Sequence, residues 1–199
     1  MTAVNVDPDK LARRLASLQK LPKGEFDTTN GASFQNYKPA AVLLPLVFSN
    51  QEWHLLYTHR SDELTNHGGQ VSFPGGSWEI GDADLTDTAL REASEEIGLA
   101  PQDVHVLGQM QPMGIITRFL VTPVVGVMPW PYPLRLFDSE VARTFIVPLS
   151  WLANPENYYY AIHVVEGKSY EVGYYQLYDG EKIWGATAKI TQDFLRLLD

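Results

Sequence analysis

The stretch that decides the fold is Gly69–Leu99, GQVSFPGGSWEIGDADLTDTALREASEEIGL. Its first part, Phe73-Pro74-Gly75-Gly76, reads as a loop, because paired glycines let backbone adopt unusual angles and approach a ligand closely. Its second part predicts a helix. Residues 84–87 supply Asp and Thr side chains to cap exposed N–H groups and suit the positive helix end. Leu90, Ala93 and Ile97 recur at helical spacing as a buried stripe, and Gly98 is a left-handed stop followed by Leu99 and Pro101. On this helix Glu92 and Glu96 share a face, with Glu95 beside them. Repulsion between like charges at that spacing costs only ~0.2–0.5 kcal/mol, so an acidic face alone reads equally as solvated surface. Joined to a glycine loop, the same carboxylates are the oxygen ligands that hard divalent cations take together with substrate phosphates.

Composition narrows the partners. The chain has 199 residues, 45% hydrophobic and 20% charged, enough for one globular domain with its own core. A net charge of −9 argues against a nucleic-acid backbone as partner, since phosphate tracking needs clustered Lys and Arg. That charge also repels a phosphorylated small molecule, a difficulty that a bound cation removes. Cysteine is absent, which excludes disulfides and thiolate metal sites. The N-terminus MTAVNVDPDK is too polar for a signal peptide. The longest apolar run, 40–48, is interrupted by Pro45 and is too short for a bilayer, so a cytoplasmic protein is the expectation.

Working outward, Asp7-Pro8 opens a helix with Leu11, Leu15, Leu18 and Leu21 on one face, stopped by Pro22 and Gly24. Residues 1–37 are thus read as a helix and linker ahead of a domain spanning 38–199. Residues 40–48 and 53–58 read as a hairpin, and 104–110, 121–128, 141–147 and 170–176 as further strands. Residues 148–152 suggest a helical turn, Asp179-Gly180 a hairpin turn, and Ile190, Phe194 and Leu197 a terminal amphipathic helix. Strands, a helix, strands and a closing helix predict an α+β chain with layered α/β/α architecture.

Arg91-Glu92-Ala93-Ser94-Glu95-Glu96-Ile97-Gly98-Leu99, with Phe73-Pro74-Gly75-Gly76 upstream, resembles the heart of the Nudix box, Arg-Glu-apolar-any-Glu-Glu-any-Gly-apolar. The resemblance implies a mixed sheet between helices and Mg²⁺- or Mn²⁺-dependent hydrolysis of a nucleoside diphosphate linked to another group. The usual box has Gly and Glu where this chain has Ser77 and Ala83; a slide of one residue finds Gly76 and Asp82, as in the coenzyme A diphosphatase branch. Similarity to that branch continues in Leu56-Tyr57-Thr58-His59-Arg60-Ser61, Gly69, Val121-Thr122-Pro123, Val125-Gly126, Glu140-Val141, Pro148-Leu149 and Ile183-Trp184-Gly185-Ala186-Thr187-Ala188. It covers about residues 40–190 and leaves the first 37 outside. Two positions depart from the branch: Tyr57 stands where it prefers Leu, and Thr65 where it has Arg, which puts the substrate in doubt more than the chemistry.

Roles follow from the resemblance, residue by residue. Glu92 and Glu96 match the metal ligands, and Glu95 a further ligand or a group orienting water. Arg91 belongs to the catalytic box and is expected to pair with a box glutamate. Gly76 offers its carbonyl to the metal or simply makes a tight turn, and Asp82 caps or anchors the loop. Glu140 is a candidate general base, an additional ligand, or an exposed loop acid. Arg60 and His67, flanking the entrance of the loop that carries Gly75, are with Gly75 the groups expected to meet phosphate, although a lone loop histidine such as His67 is more often a surface residue. Trp130, Tyr132 and Phe137 stack an adenine, line a pantetheine channel, or pack the core; His54, His105 and His163 receive no chemistry. The expected reaction splits coenzyme A or acyl-coenzyme A into 4′-phosphopantetheine (or its acyl form) and adenosine 3′,5′-bisphosphate. A diphosphatase for NADH or ADP-ribose is the alternative that Thr65 keeps alive. A non-hydrolytic Nudix-fold binding module is a third, opposed by the intact Glu92, Glu95 and Glu96. The partner expected is a small nucleoside diphosphate derivative, with neither nucleic acid nor membrane; many members of the family are dimers, which leaves a homodimer open.

Overall fold

The computed structural model describes residues 4–18, 36–62, 68–165 and 167–198. Leu21, Pro22, Gly24, Thr65 and His67, all used above, lie outside the described residues. The first half of the chain forms α1 (Pro8–Leu18), β1 (Lys38–Ser49), β2 (Glu52–Arg60), β3 (Val71–Ser72), β4 (Gly75–Ser77) and α2 (Leu85–Ile97). The second half adds β5 (His105–Gln109), β6 (Met113–Gly114), β7 (Phe119–Val127), β8 (Val141–Pro148), α3 (Leu149–Leu152), β9 (Tyr158–Val165), β10 (Lys168–Tyr175) and α4 (Gly185–Arg196).

Strand β1 is the axis of an eight-stranded mixed sheet. On one side it runs parallel to β7; on the other it pairs antiparallel with β2 near its end and with β4 near its start. The segment 71–77 is therefore wedged between β1 and β2, with β3 held by β2 and β4 by β1. The wedge has a sequence cause. Pro74 has no N–H to continue a ladder, its carbonyl accepts from Leu43 N at 2.8 Å, and a Cβ on Gly75 would collide with the Ala41 carbonyl. Strand β8 covers the outer side of β2, with a register shift between His59 and Arg60.

Alternation along β1 divides the core. Ala41, Leu43 and Val47 pack with Ala89, Ala93 and Ile97 of α2, while Ala40, Leu44 and Leu46 face the layer of α1 and α4 with Leu11, Leu15, Ile190 and Phe194. The result is the layered α/β/α arrangement that the element order predicts. Asp7 caps α1 by accepting from Lys10 N at 3.0 Å, and Leu11 and Leu15 are buried in the same core as the strands. Two readings need correction. The buried residues of α2 are Thr88, Ala89, Ala93, Glu96 and Ile97, with Leu90 only half-buried. Strand β9, of which the sequence suggests only a strand-like context around His163, runs over Tyr158–Val165 and pairs with β10 in a separate two-stranded sheet. No helix among the described residues is long and apolar enough to cross a membrane.

Candidate active site

Helix α2 is fixed at both ends by its own sequence. The Asp84 carboxylate accepts from Thr86 N at 2.6 Å and Asp87 N at 3.0 Å, and Gly98 closes the helix at φ 67°. The last two turns then carry the three box glutamates at graded depth, with side-chain exposures of 60% for Glu95, 15% for Glu92 and 2% for Glu96.

Glu96 points into the wedge. Its Oε2 accepts from Gly75 N at 3.2 Å and its Oε1 from Arg60 Nη1 at 3.3 Å. Burial pushes its pKa up to about 7; Arg60 and the Gly75 N–H oppose the rise, and the charges of Glu92 and Glu140 add to it. Burial likewise raises Glu92, although Arg91 pulls it down. Gly76 lies directly against Glu92: a Cβ there would sit 2.5 Å from Oε1. Glu140 occupies the turn before β8, where its carbonyl accepts from Ser61 N at 2.9 Å. Glu92, Glu96 and Glu140 thus lie within electrostatic reach of one another at the wedge, while Glu95 stays at the exposed side of the helix against Arg91.

Arg91 is the hub of the box loop. It grips Asp82 with two bonds, Nε–Oδ1 at 2.8 Å and Nη2–Oδ2 at 3.1 Å. Its remaining hydrogens reach Ser77 O at 3.0 Å, Glu92 Oε1 at 3.0 Å and Glu95 Oε2 at 3.1 Å. Asp82 also accepts from Glu79 N and Thr88 Oγ1, and the Arg91 guanidinium holds its carboxyl well below the usual carboxylate range. Arg91 is thus largely committed to Asp82, and Arg60 is the main cation left facing the buried glutamate.

The chemistry of this donor set suits a hard divalent cation: carboxylate oxygens in excess of cationic partners, and a backbone close enough to Glu92 that only glycine fits. Among the described residues no three such side chains are grouped as a cage, and Arg91 and Arg60 hold Glu92, Glu95 and Glu96 in ion pairs. Arg60 Nε is buried without a hydrogen-bond partner among the described residues, an unmet donor beside Glu96.

Other expected residues fall elsewhere. The Gly75 N–H is taken by Glu96. Trp130 and Tyr132 pack against the α2-side core, Tyr132 donating to Asp103 Oδ2 at 2.7 Å, whereas Phe137 is exposed. His163 bonds Tyr174 on the separate hairpin. Sequence reasoning missed His59, whose Nδ1 lies 2.7 Å from Glu181 Oε2, while Glu181 Oε1 accepts from Arg143 Nε at 2.6 Å. Strand parity alone places His59 on the face opposite Arg60; its partner, far along the chain, leaves no local signal.

The chain is similar to known proteins over most of its length. The NUDIX domain family matches residues 37–160. Two bacterial relatives are each described as an uncharacterized Nudix hydrolase NudL. The one from Photorhabdus laumondii is 42% identical, covering 78% of this chain and 82% of the relative. The one from Yersinia enterocolitica is 41% identical, covering 80% and 81%. Among solved structures, the Nudix hydrolase RenU of M. smegmatis shares the fold at a TM-score of 0.51, with 23% identity over 63% of this chain and 79% of that one.

Proposed function

The chain belongs to the Nudix family, a hydrolase acting on a nucleoside diphosphate derivative, and within it we propose a coenzyme A or acyl-coenzyme A diphosphatase. The observation that carries the reading is the convergence on one wedge of buried Glu96, half-buried Glu92 and Glu140, and Arg60 from the Leu56–Ser61 segment. That segment is one of several parts of the coenzyme A diphosphatase resemblance lying outside the box. Nudix hydrolases generally use a divalent metal. Here Mg²⁺ or Mn²⁺ would be held by Glu92, Glu96 and Glu95 with the Gly76 carbonyl, and would neutralise diphosphate oxygens and acidify water.

The chain's own groups then have distinct tasks. Arg91, fixed by Asp82, keeps Glu92 and Glu95 oriented along the helix. Arg60 stabilises Glu96 as the carboxylate, and its guanidinium is the cation we propose to meet a substrate phosphate. Glu140 is the proposed general base, since it shares the wedge yet lies on a different element from the ligands. Thr65 favours one second reading, a diphosphatase for NADH or ADP-ribose, because the branch places Arg there. A cytoplasmic location is part of the proposal.

Mass-spectrometric product analysis with Mg²⁺, on coenzyme A, acetyl-coenzyme A, NADH and ADP-ribose with chelator controls, tests it. Release of 4′-phosphopantetheine and adenosine 3′,5′-bisphosphate from coenzyme A is expected. Preference for NADH or ADP-ribose would retire the coenzyme A assignment, and no turnover of any compound would favour a binding module.

A further inference from the structure

The segment Ile183-Trp184-Gly185-Ala186-Thr187-Ala188 contains neither acid nor base, and so supplies none of the charged groups of the site. It leads into α4, which is seated in the core through Ala188, Ile190, Thr191 and Phe194. A threonine inside a helix commonly turns its hydroxyl back on the carbonyl four residues earlier. Thr191 does so: it donates to Thr187 O at 2.8 Å and leaves its lone pairs to the Tyr57 hydroxyl 2.9 Å away. Thr187 does not. Its hydroxyl donates to Val71 O at 3.0 Å, across 116 residues of chain. Ile183 O, four residues back from it, accepts from Tyr175 N at 2.9 Å instead.

Val71 is where the wedge begins. Strand β3 is two residues long and pairs with β2 alone among the described residues. So short a ladder fixes little, and Pro74 has no N–H with which to extend it. Side chains supply the rest. Thr58 Oγ1 donates to Ser72 O at 3.1 Å, Phe73 stacks on Tyr57 at 4.7 Å, and Thr187 holds the Val71 carbonyl. A few residues further on, Gly75 N donates to Glu96 Oε2 at 3.2 Å and Gly76 abuts Glu92. We propose that Thr187 is a positioning residue for the metal site. Through the Val71 carbonyl it fixes the wedge, and through the wedge it sets the Gly75 N–H against the Glu96 carboxylate. It does this from the α4 layer, across the sheet from the α2 layer that carries the glutamates. The inference rests on the reading of Glu92 and Glu96 as metal ligands.

Thr187→Val keeps the side-chain shape and removes the donor, and Thr187→Ser restores the donor. Tyr57→Phe is the control: it takes a buried hydroxyl away from α4 one turn further on and leaves the ring on Phe73. In metal-free protein, amide hydrogen exchange over residues 71–77, read by mass spectrometry, should quicken about 10-fold in Thr187→Val. It should stay within about 2-fold of wild type in Thr187→Ser and Tyr57→Phe. Thr187→Val should also bind Mn²⁺ about 10-fold more weakly in calorimetric titration and lose about 10-fold in kcat, with KM within about 2-fold of wild type. Tyr57→Phe should lower Tm yet keep ion affinity and kcat. Wild-type exchange over 71–77 in Thr187→Val would overturn the proposal. So would equal losses of ion affinity in Thr187→Val and Tyr57→Phe, or no rescue by Thr187→Ser. A wild type that hydrolyses no diphosphate, with the exchange and ion-affinity results as expected, would leave the positioning role standing and retire the functional reading alone.

Discussion

Glu96→Gln sets stability against activity. The carboxyl is 2% exposed and its pKa is pushed up to about 7 from 4.5, mainly by burial. Between those two values the folded chain keeps a proton that the unfolded chain has released. Stability contributed at Glu96 is therefore full below about pH 4.5 and falls as pH rises through about 7. At 1.36 kcal/mol per pH unit, the ionised side chain weakens the metal-free fold by about 3 kcal/mol at pH 8. Glutamine carries no charge to bury and its carbonyl can accept from Gly75 N. Its NH₂ faces Arg60, however, and loss of that charge-assisted bond offsets about 1–2 kcal/mol. The chelator-treated variant should therefore exceed wild type by about 1–2 kcal/mol at pH 8, or roughly 3–6 °C in Tm for a chain of this size. At pH 5, where wild type is protonated, the advantage should vanish or reverse. Metal-dependent hydrolysis should drop at least ~100-fold at every pH, since a buried ligand has been lost. Scanning calorimetry from pH 5 to pH 8 beside a product assay reads both effects. Parallel Tm profiles for the two proteins would refute the buried-carboxylate reasoning, and full activity in the variant would refute the metal site.

The other substitutions probe the supports around that carboxylate. Gly76→Ala places a Cβ 2.5 Å from Glu92 Oε1, so turnover should fall about 10²-fold through misplacement of Glu92, with Tm within a few degrees of wild type. Asp82→Asn leaves Arg91 without its two-bonded partner and should lower stability by about 2–4 kcal/mol in urea titrations at pH 7. Arg91 holds the Asp82 carboxyl below its ordinary 3.8, so that contribution is full above the ordinary value and fades as pH falls beneath it. Glu140→Gln should lower kcat by 10²–10⁴ with metal affinity unchanged if Glu140 is the general base; weakened metal binding in calorimetric titration would make it a ligand instead. Arg143→Ala removes the Nε–Oε1 bond to buried Glu181 and should destabilise by about 1–3 kcal/mol while leaving metal affinity untouched.

Local spacing carried far more of this structure than long-range pairing could. The caps of α2 at Asp84 and Gly98, the cap of α1 at Asp7 and the turn at Asp179-Gly180 are each written within four residues, and each forms. The depth of Glu96 is not written that way. On a helical wheel it lies beside Ala93 and Ile97, yet a glutamate there reads as solvated until Gly75 N and Arg60, brought in by the wedge, give its oxygens partners. The extent of β9 is hard to read from the sequence because both its faces are exposed and carry apolar or aromatic residues, so the alternation that reveals a half-buried strand is absent. His59 and Glu181 meet only because β2 and the turn after β10 end side by side.

The one-residue slide in the box shows how geometry resolves what spacing leaves open. Counting back from Arg91 reaches Ser77 and Ala83, while the matching residue types are Gly76 and Asp82. In the structure Asp82 receives the two-bonded grip of Arg91, and Gly76 is the position where a side chain would strike Glu92. Both residues slide together, so the loop between them keeps its length. The added residue falls between Asp82 and Arg91, where the chain turns into α2 at the Asp84 cap. A helix entry absorbs one residue more readily than the loop does, because the loop is pinned by Ser77 O and Asp82 on Arg91 and by Trp78 N on Pro39 O. The positions of Glu92 and Glu96, about two and three turns into the helix, are thereby left undisturbed.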